Sequence, residues 1–179
     1  MSGDTTDDLT AINAVLSGDK AQYRVVVERY HRGLINYLYN MTRDSTIAEE
    51  LAQDAFVQAF RKLSTYNSAY SFSTWLYTIA SNIAKDHFKK NSRILRVVPD
   101  GRTSELTPDE ALTQSTRAHD VRAAIATLKP DYQQVINLFY WENKSYEEIA
   151  AIVGCPVGTA RTWLSRSKQQ LEEQLYGHV

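Results

Sequence analysis

Cysteine is almost missing from this sequence: Cys155 is the one thiol among 179 residues. A single cysteine can neither close an intramolecular disulfide nor build a thiolate metal site, so a disulfide-stapled fold is excluded. No run of about 18 apolar residues occurs, which removes a transmembrane helix. The start, MSGDTTDDLT, is acidic and lacks an apolar stretch, so no signal peptide is expected. There is no phosphate-cradling glycine loop, and His31, His87, His119 and His178 are scattered rather than paired at ligand spacing. These absences argue against an enzyme and against a metal or cofactor. The expected setting is soluble, reducing and cytoplasmic.

What is present suffices for a core: 43% of residues are hydrophobic and 11% aromatic, which excludes wholesale disorder. The length allows one ordinary domain or two small ones. Taken alone, a net charge of −1 argues against a nucleic-acid partner. The sum, however, hides a segregation. Residues 1–19 total −4, residues 20–96 total +6, residues 97–154 total −4, residues 155–171 total +3, and the tail −2. Two basic zones therefore lie in an otherwise acidic chain. Solvated helix faces produce the same alternation, so the zones need a second signal.

Periodicity supplies the architecture. A short apolar segment at Leu9–Leu16 stops at Gly18, and Asp19 is placed to cap a long helix reaching Met41. Thr46 and Glu49 have capping-box spacing ahead of Ile47, Leu51, Ala55 and Ala59, which line one helical stripe as far as about Leu63. After a polar and aromatic stretch from Ser64 to Ser71, a third long helix is expected from Phe72 to about Arg93, with Phe72, Leu76, Ile79, Ala80 and Ile83 inward. Residues 97–107 carry Pro99, Gly101 and Ser104 and no stripe, as a flexible linker would. Thr107-Pro108-Asp109-Glu110 then reads as a helix start. Val121, Ile125 and Leu128 continue to the break at Lys129-Pro130, and a further helix carries Val135, Ile136, Leu138 and Phe139. With no strand-like alternation, the expected fold class is all-α: two small helical domains, residues 1–96 and 108–179, joined by a flexible linker.

The sharpest motif is Ser145–Leu164. Ser145-x-x-Glu148 is a complete capping box, Gly154 supplies a left-handed stop about two turns later, and Pro156 opens a second helix with Val157, Ala160, Leu164 and Leu171 inward. Small Ala150 lets the two helices approach. This is a helix-turn-helix. The opposite face of its second helix offers Thr159, Thr162, Ser165 and Arg166, with Arg161 and Lys168 on one flank. Arginine and hydroxyl side chains suit base edges in the major groove. The other basic zone, Lys85, Lys89, Lys90, Arg93 and Arg96, lies beside Tyr66, Tyr70, Phe72, Trp75, Tyr77 and Phe88. Bases interleaved with aromatics suit single-stranded nucleic acid.

These stretches resemble a known family. Ala48–Phe56, Phe72–Asp86 and Ser145–Leu164 with Arg166 look, in this order and at these separations, like a bacterial RNA polymerase sigma factor of the extracytoplasmic-function (ECF) class. The resemblance spans about residues 9–175. It implies that Glu50, Gln53 and Asp54 bind the beta-prime clamp of the polymerase core. It places Tyr66, Ser71, Trp75 and Asn82 at or near a pocket for a flipped base of the −10 promoter element, with Lys85 and Lys89 toward the backbone. It assigns the −35 element to Thr159, Arg161, Thr162, Ser165 and Arg166, and docks the helix near Val135–Phe139 on the beta flap. An anti-sigma factor is a further implied partner. The sequence departs from the family's pattern at Trp163, where arginine is common, and at Ala160, where valine is usual. A different class, an autonomous helix-turn-helix regulator, would need a dimerisation element or ligand pocket that the N-terminal half does not offer.

Overall fold

A computed structural model describes residues 3–95 and 116–177. The expected linker at 97–107 and the helix start at Thr107-Pro108 lie outside the described residues. Among those described there is no strand, and eight α-helices fall into two compact units.

The first unit holds α1 (Gly3–Leu16), α2 (Tyr23–Thr42), α3 (Ser45–Arg61) and α4 (Phe72–Leu95), with short 3-10 turns at Lys20–Gln22 and Leu63–Thr65. Helix α1 is followed by Gly18 at φ 112, a left-handed backbone in which glycine has no Cβ to clash. Asp19 does not cap α2. The turn Lys20–Gln22 intervenes, and the Asp19 carboxylate instead accepts from Gln22 Nε2 at 3.3 Å. Nor does Thr46 cap α3. Asp44 does so, two residues earlier, accepting from the Ile47 amide at 3.0 Å. Helix α2 ends on Arg43, a left-handed residue at φ 57 whose amide donates to the Tyr39 carbonyl. Burial lowers the Arg43 pKa.

Val26, Leu34 and Leu38 of α2 meet Ala48, Ala52, Ala55 and Ala59 of α3, all at 1% exposure or less. Alanine at these four positions brings the backbones close, and α4 closes the core with Phe72, Leu76 and Ala80. Each fully buried large side chain contributes roughly 1.5–3 kcal/mol. Ile83, expected inward, is only half-buried.

The second unit holds α5 (Thr116–Thr127), α6 (Pro130–Tyr140), α7 (Tyr146–Val153) and α8 (Val157–Tyr176). Pro130 occupies the first turn of α6, where its missing N–H has no partner to lose. Leu128, Val135, Ile136, Leu138, Ile149, Ile152 and Leu164 form the core. Helix α8 packs against α5, α6 and α7, so one helix organises the whole unit.

Candidate nucleic-acid interface

The loop ahead of α4 is tied to itself. The Tyr66 hydroxyl donates to the Tyr70 carbonyl at 2.9 Å, and the Ala69 amide donates to Asn67 Oδ1 at 3.0 Å. Ser71 caps α4: its Oγ accepts from the Thr74 amide at 3.3 Å and lies 2.8 Å from Thr74 Oγ1, while its carbonyl accepts from the Trp75 amide. Behind the loop stands an aromatic cluster. The Tyr66 ring lies 5.4 Å from both Phe72 and Trp75, edge-on to the former, and Phe72 lies 5.5 Å from Trp75. Phe72 is fully buried, whereas Tyr66 and Trp75 are half-buried and Tyr70 is 54% exposed. Such a cluster presents π-faces beside open solvent, the surface on which an unpaired base stacks. Burial first, and then the charge of Asp8, raise the Tyr66 pKa, so the hydroxyl stays protonated.

The resemblance places Tyr66, Ser71, Trp75 and Asn82 at or near one pocket, and the structure brings the first three together. It also shows that the Ser71 hydroxyl is occupied in capping. Asn82, Lys85 and Lys89 are exposed farther along α4. At about 1.5 Å per residue, Asn82 stands roughly 10 Å from Trp75 along the helix, with Lys85 and Lys89 beyond it. Tyr70, one of the aromatics interleaved with the basic zone, stands half-exposed beside the cluster.

On α3, Glu50, Gln53 and Asp54 are exposed together. Their stripe continues into Val57, 49% exposed, and Phe60, 36% exposed, at the spacings that keep residues on one helix face. Phe60 is backed by Tyr23 at 5.0 Å, and the Tyr23 hydroxyl donates to the Phe56 carbonyl at 2.7 Å. Sequence reasoning took the polar half of this surface and missed its apolar half.

The helix-turn-helix is built as its local chemistry dictates. The Ser145 side chain accepts from the Glu148 amide, the Glu148 carboxylate accepts from the Ser145 amide, and Gly154 closes α7 at φ 79. Ile149, Ala150, Val153, Ala160 and Leu164 are buried between α7 and α8, with Val157 half-buried. Arg161, Thr162, Ser165 and Arg166 are exposed, and Thr159 and Trp163 are partly so. Arg161 is already engaged, 3.6 Å from Glu147 and with its guanidinium carbon 5.2 Å from the Tyr146 ring centroid. Lys168 does not flank this face freely. Its Nζ lies 5.0 Å from the Phe139 ring centroid and 5.4 Å from that of Tyr140, a cation–π pairing that holds it on α6.

The helix near Val135–Phe139, expected to dock on the beta flap, is α6. Val135, Ile136 and Leu138 are at most 1% exposed and serve the unit's own core. The open surface beside them is an apolar groove of about 370 Å³ lined by Val121, Ile125, Leu171, Leu175, Tyr140 and Trp141.

Comparison with known proteins gives both units relatives. Residues 26–94 match the Sigma-70 region 2 family, and residues 118–171 match Sigma-70, region 4. The RNA polymerase sigma-H factor of Pseudomonas aeruginosa is 29% identical over 182 residues, covering 94% of this chain and 93% of its own. The ECF RNA polymerase sigma factor SigW of Bacillus subtilis is 28% identical over 180 residues, covering 92% and 94%. Among solved structures, the sigma factor RpoE of Bartonella quintana, in complex with the anti-sigma factor NepR, shares the fold. It has a TM-score of 0.77 at 24% identity and covers 88% of this chain and 98% of its own.

Proposed function

The chain belongs to the sigma-70 family of RNA polymerase sigma factors, and from that premise we propose that it acts as an ECF sigma factor. It directs RNA polymerase core to specific promoters and helps melt the −10 element. In this reading residues 1–96 form the domain that binds the beta-prime clamp and the −10 element, residues 97–107 the linker, and residues 108–179 the domain that binds the −35 element and the beta flap.

The observation that carries the reading is the pairing, in one chain, of an aromatic cluster at Tyr66 and Trp75 with a helix-turn-helix exposing Thr162, Ser165 and Arg166. Duplex recognition alone would need only the second. In the first unit a base of the non-template strand leaves the stack and rests on Tyr66 and Trp75, while Asn82 pairs its amide donor and acceptor with a base edge. Lys85 and Lys89 neutralise phosphates farther along α4. No nucleotide hydrolysis drives this step, so binding of the unpaired strand offsets the unstacking cost, about a few kcal/mol per flipped base.

In the second unit α8 enters the major groove. Arg166 and the hydroxyls of Thr162 and Ser165 face base edges, with Thr159 and Arg161 nearer the phosphates. Glu50, Gln53 and Asp54 lead along α3 into the apolar pair Val57 and Phe60, a charged and greasy surface suited to a partner helix of the clamp. The flap docks on α6, at the groove beside Tyr140 and Trp141. An anti-sigma factor, of the kind seen bound to the Bartonella relative, would act by covering these polymerase-binding faces. The chain works in the cytoplasm, where the polymerase is, and no described helix is long and apolar enough to cross a membrane.

Reconstitution with core polymerase tests this. Run-off transcripts made with the chain should start at sites sharing a −35/−10 pair. A chain that ignores core polymerase and binds a palindromic duplex tightly alone is an autonomous regulator instead.

A further inference from the structure

The N-terminal helix carries a buried acid that the reading above does not use. Asp8 is 4% exposed, on the face of α1 that meets α2, α4 and the turn at Leu63–Thr65. Both of its oxygens are occupied. Oδ1 accepts from Arg29 Nη1 and Oδ2 accepts from the Tyr30 hydroxyl, while Asp7 takes Arg29 Nη2. Tyr30 does more than hold the acid. Its ring lies 6.0 Å from Phe72, and Phe72 is the buried member that touches both Tyr66 and Trp75. A chain of contacts therefore runs from Asp8 through Tyr30 and Phe72 to the two half-exposed rings.

We propose that Asp8, acting through Tyr30, is a positioning residue for the base-capturing rings of Tyr66 and Trp75. The inference rests on the assignment of those rings to base capture. Its physical basis is that a site with an accuracy of about half an ångström needs supporting side chains whose own rotamers are locked. Phe72 packs by shape alone and has no polar anchor. Tyr30 has one: its hydroxyl is fixed by a carboxylate that Arg29 in turn holds in place, so the plane of its ring is set by a directional bond. Paired charges out of water contribute little net stability but can fix one arrangement among several. Helix α1 is then part of the −10 site without touching DNA.

The test uses holoenzyme formed with core polymerase. Single-stranded oligonucleotides randomised over six positions are selected on wild-type holoenzyme. Affinity is then measured for the preferred strand and for the same strand with an abasic site at each selected position. Tyr30→Phe removes one oxygen and keeps the ring; Asp8→Asn removes the charge and keeps the shape. Each should weaken the preferred strand by about fivefold, less than the tenfold or more of one charged hydrogen bond because the loss reaches the rings only through Phe72. Each should also pull the ratio of preferred to abasic strand toward one, with core affinity unchanged. The double variant should be no worse than the stronger single variant. A general loss of folding lowers the active fraction and leaves that ratio alone. Wild-type ratios in Tyr30→Phe overturn the positioning role, whatever Asp8→Asn does, provided Tyr66→Ala collapses the ratio. If Tyr66→Ala itself keeps the wild-type ratio, the base-capture reading fails instead.

Discussion

Arg161 and Glu147 lie 3.6 Å apart, joining the recognition helix to the helix before it, with both side chains about 60% exposed. An ion pair so open to water contributes little to stability. It does hold a cation that DNA would otherwise attract, and it places a carboxylate where phosphates approach. Glu147→Gln should therefore tighten binding to a −35 duplex by about two- to threefold at low salt, with the gain vanishing as salt screens it. Fluorescence anisotropy across a salt series reads this directly, and the unfolding midpoint should not move.

Arg166 is exposed on the same helix with its neighbour Ser167 fully buried. Arg166→Ala should cost about 1–3 kcal/mol in duplex binding and relax base preference at one position. Binding to core polymerase should be untouched. Equal loss of both activities would remove Arg166 from the DNA-reading set.

The α3 surface gives the converse separation. Asp54→Arg should lower affinity for core by roughly tenfold or more if Asp54 meets a cation of the clamp, since the pair then becomes repulsive. Exposed substitutions of this sort change stability by no more than about 0.5 kcal/mol. Val57→Ala should weaken core binding too, and a binding assay that finds it neutral would confine the surface to its polar half.

Two local changes test the helix-turn-helix as a folding unit. Ser145→Ala removes one side of the capping box and should cost about 1 kcal/mol. Gly154→Ala meets open space, yet its φ of 79 strains any residue with a Cβ, so a loss of similar size or more is expected. Denaturant unfolding reads both. An unchanged midpoint for Gly154→Ala would mean that the turn relaxes to another conformation.

How much of this was legible in the sequence follows the range of the forces involved. The ends of α7 and the start of α6 were readable because Ser145, Glu148, Gly154 and Pro130 act on their own neighbouring amides. Thr46 and Glu49 have capping-box spacing and so compete with Asp44, itself a favoured N-cap residue, which takes the Ile47 amide with no acid at the third helical position to complete a box. Lys168 looked like part of a basic face, and only the packing of α8 on α6 brings Phe139 and Tyr140 beneath it. The Asp8–Tyr30 contact joins residues 22 positions apart. Nothing local marks it, since an acid in an acidic N-terminus reads as solvated. The apolar half of the α3 surface was hidden for the opposite reason: Val57 and Phe60 look like core until the helix is seen from outside.

The anchoring of α8 has a consequence for how base preference can change. The helix is held by Ala160, Leu164 and Ser167 on one side, the last at 0% exposure with its hydroxyl returned to the Leu164 carbonyl at 2.9 Å. Lys168 clasps the aromatics of α6 one residue further on. Successive residues turn by about 100° around a helix, so these contacts hold more than one side of the cylinder and resist its rolling. The azimuth of Thr162, Ser165 and Arg166 is thus a fixed property of the unit. If those side chains read the promoter as proposed, a new specificity is expected from exchanging them rather than from turning the helix that bears them.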